Sequence, residues 1–231
     1  MAASPADFRE ANEAFLNGKY DQAIELYTGI LKSGCDCPDV KYNLGNAYLA
    51  SGRTGMAVLQ YERALKADPS DAEAAANLEL AKKPLLAEPA FTPSLKTPVE
   101  DFFRKIPQMP VSIAALITWS LTFGLLLFRR FTVSDKLRRF SGFILAASAS
   151  CAIVMCTIFS GVVWVHEYRP RCVVLTDSAE LKEGPSVSFK SVIGLKEGVT
   201  LGIRGSESGW YKVVLPSGVN GWVRSETVEK I

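Results

Sequence analysis

Two stretches of this chain are apolar on every helical face, and that limits what it can fold into more than any other feature. Residues 111–128 (VSIAALITWSLTFGLLLF) and 140–165 (FSGFILAASASCAIVMCTIFSGVVWV) contain no charged residue. At 1.5 Å rise per residue the first run covers about 27 Å, near the hydrocarbon thickness of a bilayer, and the second spans with tilt or with its ends among headgroups. A soluble domain this small cannot cover two such helices, so transmembrane helices in contact with membrane lipid are predicted at 111–128 and 140–165. Between them residues 129–139 (RRFTVSDKLRR) set Arg129, Arg130, Lys136, Arg138 and Arg139 against Asp135 alone. Short loops rich in Lys and Arg stay in the cytoplasm, which makes 129–139 a cytoplasmic loop and sends both ends of the chain to the opposite side. Small residues at Ser120 and Gly124, and at Gly142, Ala146 and Ser150, are spaced for close helix approach, between the two spans or toward a membrane partner.

The N-terminal part repeats itself. An offset of 34 aligns Asn12 with Asn46, Gly18 with Gly52, Ala23 with Ala57, Tyr27 with Tyr61 and Leu31 with Leu65. The second copy carries Leu44, Gly45, Tyr48, Gly52, Ala57, Tyr61, Ala64 and Pro69, and with these it resembles the tetratricopeptide repeat (TPR) family. The first copy is weaker, with Glu10, Ala11 and Ala14 where the motif has Leu, Gly and Tyr. Residues 71–83 add an amphipathic segment that reads as a capping helix, giving a TPR domain over 1–83. The resemblance implies a concave groove built from the first helix of each repeat. It places Phe8, Asn12 and Phe15, then Tyr42, Asn46 and Leu49, in that groove as partner-binding residues. Packing against the capping helix is the alternative for the same side chains.

A linker over 84–110 follows, with six prolines that keep it extended. Its segment 99–106 (VEDFFRKI) is amphipathic, and either lies on the membrane with Phe102 and Phe103 inserted or packs as a short helix on the repeats. From Cys172 onward the pattern turns to short β-branched runs separated by turns. Gly184-Pro185-Ser186, Lys196-Glu197-Gly198, Trp210-Tyr211-Lys212-Val213 and Gly221-Trp222-Val223 occur in the order of the bacterial SH3-like domain, which residues 172–231 resemble. That implies a small all-β barrel. Strand alternation puts Tyr211 and Val213 in its core and Trp210 with Lys212 on the other face. Trp210, Lys212, Trp222 and Arg224 are the candidate partner-binding surface, for peptidoglycan or a peptide; purely structural tryptophans are the alternative.

Little in the chain suggests catalysis. His166 is the single histidine, which leaves no nucleophile with an imidazole base and no multi-histidine metal site, so neither catalytic residues, metal nor cofactor is expected. A net charge of +2 without a basic face argues against nucleic acid. Cys35 and Cys37 fall in the turn between repeats and are expected as free thiols, a redox-labile pair being the alternative; Cys151 and Cys156 read as small apolar residues of the second span.

The fold class read from these parts is a multi-domain membrane protein of all-α TPR repeats, a two-helix transmembrane hairpin and an all-β SH3-like barrel. This order of parts resembles the TPR membrane proteins of the bacterial aerotolerance (Bat) operons. The resemblance implies a non-enzymatic scaffold in the bacterial inner membrane, and the charge of the 129–139 loop sets both soluble domains in the periplasm. It also implies envelope partners, among them von Willebrand A-type Bat proteins, and a role in stress or oxygen tolerance. A peptidoglycan-binding envelope sensor is the alternative. An external N-terminal domain needs an export signal, and MAASPADFREAN has no apolar region. Either the start lies upstream, with Ala-Ala-Ser-Pro-Ala left from a cleavage region, or the domain faces the cytoplasm against the charge bias.

Overall fold

The 34-residue period becomes two antiparallel helix pairs. α1 (Pro5–Leu16) and α2 (Tyr20–Lys32) make the first, α3 (Pro38–Ala50) and α4 (Thr54–Ala67) the second, and α5 (Ala72–Lys82) follows. The structure is a computed structural model that describes residues 5–85, 102–168 and 170–231. Residues 1–4 and 86–101, where the cleavage remnant and most of the linker are expected, lie outside the described residues. Gly18 and Gly52 end α1 and α3 at φ of 72° and 81°. Behind them Lys19 and Arg53 donate their N–H groups to the Ala14 and Tyr48 carbonyls at 2.9 Å, which turns each second helix back on the first. The α3–α4 approach depends on Gly45, where a Cβ would lie 2.6 Å from Cε1 of Tyr61. Asp68 is extended, as the residue before a proline must be, and Asp71 then caps α5 by accepting from the Glu73 and Ala74 N–H groups at 3.0 and 2.9 Å.

Cys35 and Cys37 are not free thiols. They are joined by a disulfide, because the turn between α2 and α3 holds their Cα atoms 5.3 Å apart, within bridging reach.

The C-terminal strands are β1 (Arg171–Val174), β2 (Ala179–Lys182), β3 (Ser191–Leu195), β4 (Thr200–Glu207), β5 (Trp210–Val214), β6 (Asn220–Arg224) and β7 (Val228–Lys230). They pair antiparallel in the order β3-β2-β6-β5-β4-β1-β7. The expected barrel is thus an open sheet, with β3 and β7 as its edges. A physical reason lies at the β7 end: the carbonyl oxygens of Lys230 and Ile231 accept from Arg63 and Lys66 of α4, both at 3.0 Å, where closure would need a strand. One face carries the core, with Leu181, Leu201, Val213 and Val223 fully buried.

Helices α1–α5 and the sheet belong to one unit, and α4 is their common wall. Val173 of β1 is fully buried in the helical core, while Leu85, beyond α5, joins the core of the sheet. Glu62 of α4 is 4% exposed and lies between Lys82 Nζ of α5, at 2.5 Å, and Arg171 Nη2 of β1, at 2.7 Å. The first turn of α4 lacks a side-chain cap of its own, and Glu197 of the β3–β4 connection supplies one, accepting from the Gly55 N–H at 2.6 Å.

The second unit contains α6 (Gln108–Phe131) and α7 (Asp135–Tyr168). Both are long and apolar enough to cross a membrane. They extend past the apolar runs, so Arg129, Arg130, Lys136, Arg138 and Arg139 stand on helix ends and only residues 132–134 connect them. Long basic side chains favour helix and carry their charge away from an apolar surface, which permits this extension. Ala115, Thr122 and Ala152 are buried, and Trp119 Nε1 donates to Cys156 Sγ at 2.9 Å. Ser120, Gly124, Ala146 and Ser150 are exposed, whereas Gly142 is half-buried, with Arg129 of α6 at the place a Cβ would take. Phe103 lies against Gly161, where a Cβ would meet its ring at 2.6 Å.

Replacing Glu62 with Ala strands two cations in the α4–β1 joint. It is expected to destabilise the first unit by about 3 kcal/mol, read from denaturant unfolding of the full chain in micelles followed by tryptophan fluorescence.

Candidate functional site

The groove residues lie on α1 and α3, with α5 beside them. Asn12 Oδ1 accepts from the Tyr27 hydroxyl at 2.5 Å and from Asn43 Nδ2 at 3.4 Å. Asn46 Oδ1 accepts from the Tyr61 hydroxyl at 2.7 Å and from Asn77 Nδ2 at 2.9 Å. Every member of the second cluster follows its counterpart in the first by 34 residues, so the repeat includes a polar ladder running from α1 through α3 to α5. Asn43 belongs to that ladder and was missed as a site residue, although its offset from Asn77 was visible in the sequence.

The ladder narrows what the asparagines can offer. Their amide oxygens are committed to holding adjacent helices together, while among the described residues the Nδ2 groups of Asn12 and Asn46 have no acceptor. What remains is a pair of donors suited to the carbonyl oxygens of an extended peptide. Phe8, Phe15, Tyr42 and Leu49 are half-buried and pack against the helical core. Phe8 tilts against Tyr27 and Tyr42 against Tyr61, each with ring centroids 6.1 Å apart, and Phe15 meets Tyr20 at 5.7 Å. Tyr42 also accepts from Asn77 Nδ2 at 3.2 Å, so the capping helix engages the second set of groove residues directly.

The sheet brings the other four candidates together. Trp210 faces Arg224 and Lys212 faces Trp222 across β5 and β6, all on the side away from Val213. Each cation lies over the ring opposite, Arg224 Cζ at 5.6 Å from the Trp210 centroid and Lys212 Nζ at 6.0 Å from that of Trp222. Tyr211 packs on the sheet core with Val213, as alternation predicts. Trp210 and Arg224 line a cleft of about 300 Å³ whose other wall includes Glu180 and Lys182 of β2. Trp222 and Lys212 do not line it. Trp210 is 8% exposed and forms a floor rather than a free wall. Charges in the cleft are internally paired, Arg224 with Glu226 at 2.7 Å and Lys182 with Glu180 at 3.2 Å.

Among the described residues no group of three or more His, Cys, Asp or Glu side chains stands together to hold a metal. Cys172 is fully buried, and burial pushes its thiol up to about 12, which leaves it unreactive at neutral pH.

Residues 8–72 match the family model of the tetratricopeptide repeat, and residues 177–229 that of the bacterial SH3 domain. Among solved structures the chain is similar to the crystal structure of the Sgt2 TPR domain from Aspergillus fumigatus, at 31% identity over 37% of this chain and 59% of that one, with a TM-score of 0.35. No curated protein matches the chain.

Burial pushes the Tyr27 hydroxyl up to about 12 and raises that of Tyr61, where the neighbouring Tyr42 adds to the effect. A raised folded-state value means that the ladder's contribution is complete below the unfolded value of 10.0 and is lost as pH rises through the folded one. Alkaline titration is expected to show helix signal disappearing together with the rise of tyrosinate absorbance between pH 10.0 and about 12. In Tyr27→Phe, which keeps the ring and removes the hydroxyl, stability at neutral pH drops by about 1 kcal/mol.

Proposed function

We propose that this protein is a non-enzymatic, membrane-anchored scaffold of the bacterial envelope that holds partner proteins through its TPR groove. The observation that carries the reading is the pair of unengaged amide donors, Asn12 and Asn46, set one repeat apart among half-buried aromatic side chains. TPR and bacterial SH3 domains point to binding of proteins, peptides or peptidoglycan rather than to catalysis.

The anchoring rests on exposure. Ile113, Leu116, Ile117 and Phe123 of α6 and Phe143, Ile153 and Val154 of α7 are all more than half exposed, a surface that water disfavours and lipid tails cover. Core helices of soluble proteins hide such residues. Two spans return the chain to the side it came from, which agrees with α1–α5 and the sheet belonging to one unit. The basic residues near 129–139 support a cytoplasmic turn, with both soluble parts in the periplasm. The order of parts supports a place among the aerotolerance-operon TPR proteins, with von Willebrand A-type partners and a role in oxygen or stress tolerance.

A second reading, peptidoglycan binding, is favoured by the cleft over Trp210, since an apolar floor rimmed by paired charges suits a glycan-linked peptide. Photo-crosslinkers placed at Phe15 and Leu49 in living cells separate the two. The scaffold reading expects a discrete protein adduct that is lost with Asn46→Ala; no adduct, or one indifferent to Asn46, overturns it. Sedimentation of the full chain with purified peptidoglycan, abolished by Trp210→Ala, would favour the second reading.

A further inference from the structure

The Cys35–Cys37 bridge stands at a place in the repeat that the chain fills twice. Moved on by 34 residues, Cys35 becomes Pro69 and Cys37 becomes Asp71, in the turn between α4 and α5. That second turn is made without a cysteine, so the repeat does not need a bridge to connect its helices. A ring closed between residues two apart also removes little freedom from the unfolded chain, because the effect of a cross-link grows with the loop it closes. Stability is a weak reason for this bridge.

The part Asp71 plays at the equivalent position suggests a stronger one. Its carboxylate is an anionic cap on α5, accepting from the Glu73 and Ala74 N–H groups. Cys37 is the N-cap of α3, Pro38 takes the first helical position, and no side chain caps this end. The N–H groups of Asp39 and Val40 are the counterparts of those that hold the carboxylate in the next repeat, and Cys37 has the position from which that carboxylate acts. A thiolate formed there is stabilised by the same helix end. The charged groups around it are Asp39 in the first turn of α3, and Asp36, which is paired with Lys41. Cys35 is placed differently. It lines a cavity of about 610 Å³ between the end of α2, the α2–α3 turn, α4 and Ile231, and Cys37 does not. The two sulfurs are therefore unequal, one open to an incoming molecule and the other set to carry charge.

We propose that this bridge is a thiol–disulfide exchange site that takes two electrons from a dithiol, entered at Cys35 and released at Cys37. A thiolate of the dithiol attacks Cys35 Sγ through the cavity. The Cys35–Cys37 bond breaks, and its electron pair leaves on Cys37 at the cap of α3. The second thiolate of the dithiol then attacks the sulfur of its own molecule in the mixed disulfide, which closes the dithiol into a disulfide and releases Cys35. The two protons of the dithiol pass to Cys35 and Cys37 or to solvent. The site is separate from the groove and does not depend on its occupant.

Wild-type full-length protein in micelles tests this, so that no variant has to fold. It is treated with 2-mercaptoethanol at neutral pH, quenched in acid at early times and mapped by tandem mass spectrometry. The mixed disulfide is expected on Cys35 in preference to Cys37 by roughly tenfold, since the better leaving group decides which sulfur is attacked. Dithiothreitol is expected to reduce the bridge about tenfold faster than it reduces the same bridge in a synthetic peptide of residues 31–41, which has neither the cavity nor α3. A reduced eight-residue peptide with a Cys-x-x-Cys sequence distinguishes the sources. Reduction as fast as by dithiothreitol assigns the site to protein thiols, and slower reduction assigns it to small dithiols. Free thiols at Cys35 and Cys37 in protein purified in air overturn the proposal, as does a mixed disulfide on Cys37 or shared equally, or a rate no faster than the peptide's.

Discussion

The first unit depends on one helix being shared. α4 closes the second TPR pair through Gly45 and Tyr61, and its other side meets β1 and β7. The joint is held by a buried carboxylate, Glu62, between a cation from α5 and one from β1. Buried ion pairs of this kind contribute little net stability over an apolar contact, but removing one partner is costly, so they select one arrangement of the parts over others. The cap from Glu197 on the first turn of α4 acts in the same sense, since a helix end that needs an acceptor finds it only when the sheet is docked.

Sharing α4 has a consequence for the sheet. With the oxygens of Lys230 in β7 and of Ile231 just beyond it accepting from Arg63 and Lys66, a helix blunts the edge of the open sheet where a seventh-to-third strand pairing would lie. It also separates two surfaces: residues of α2, α4 and the α2–α3 turn line a cavity with Ile231, while the first helices keep their aromatic and amide groups outside it.

The polar ladder shows why apparent binding residues need a hydrogen-bond account before they are given a role. Asn12 and Asn46 fall at groove positions, yet each spends its oxygen on two neighbours in adjacent helices. Only the amide nitrogens remain for a ligand. The same holds for the strand face, where each tryptophan is covered by the cation opposite it and the charges of the cleft are paired with one another. Both surfaces are partly structural, and their capacity to bind lies in what packing leaves over.

Local patterns in the sequence were enough for the helix pairs, the two long apolar helices and the alternation of Tyr211 and Val213, because these follow from periodicity, turn residues and charge over short spans. The offset of 34 even held the ladder, had Asn43 and Asn77 been compared. Other features were settled only by tertiary structure. Residues 142 positions apart form the cap on α4, and Glu62 and Arg171 are 109 apart, distances over which no local pattern carries information. The Cys35–Cys37 bridge depended on the shape of one turn, and the cover on the β7 end of the sheet on where α4 lies. The sequence alone determined which elements form, since that is decided by each residue's neighbours along the chain; which elements share a wall was decided in three dimensions, where burial and charge pairing between distant segments compete.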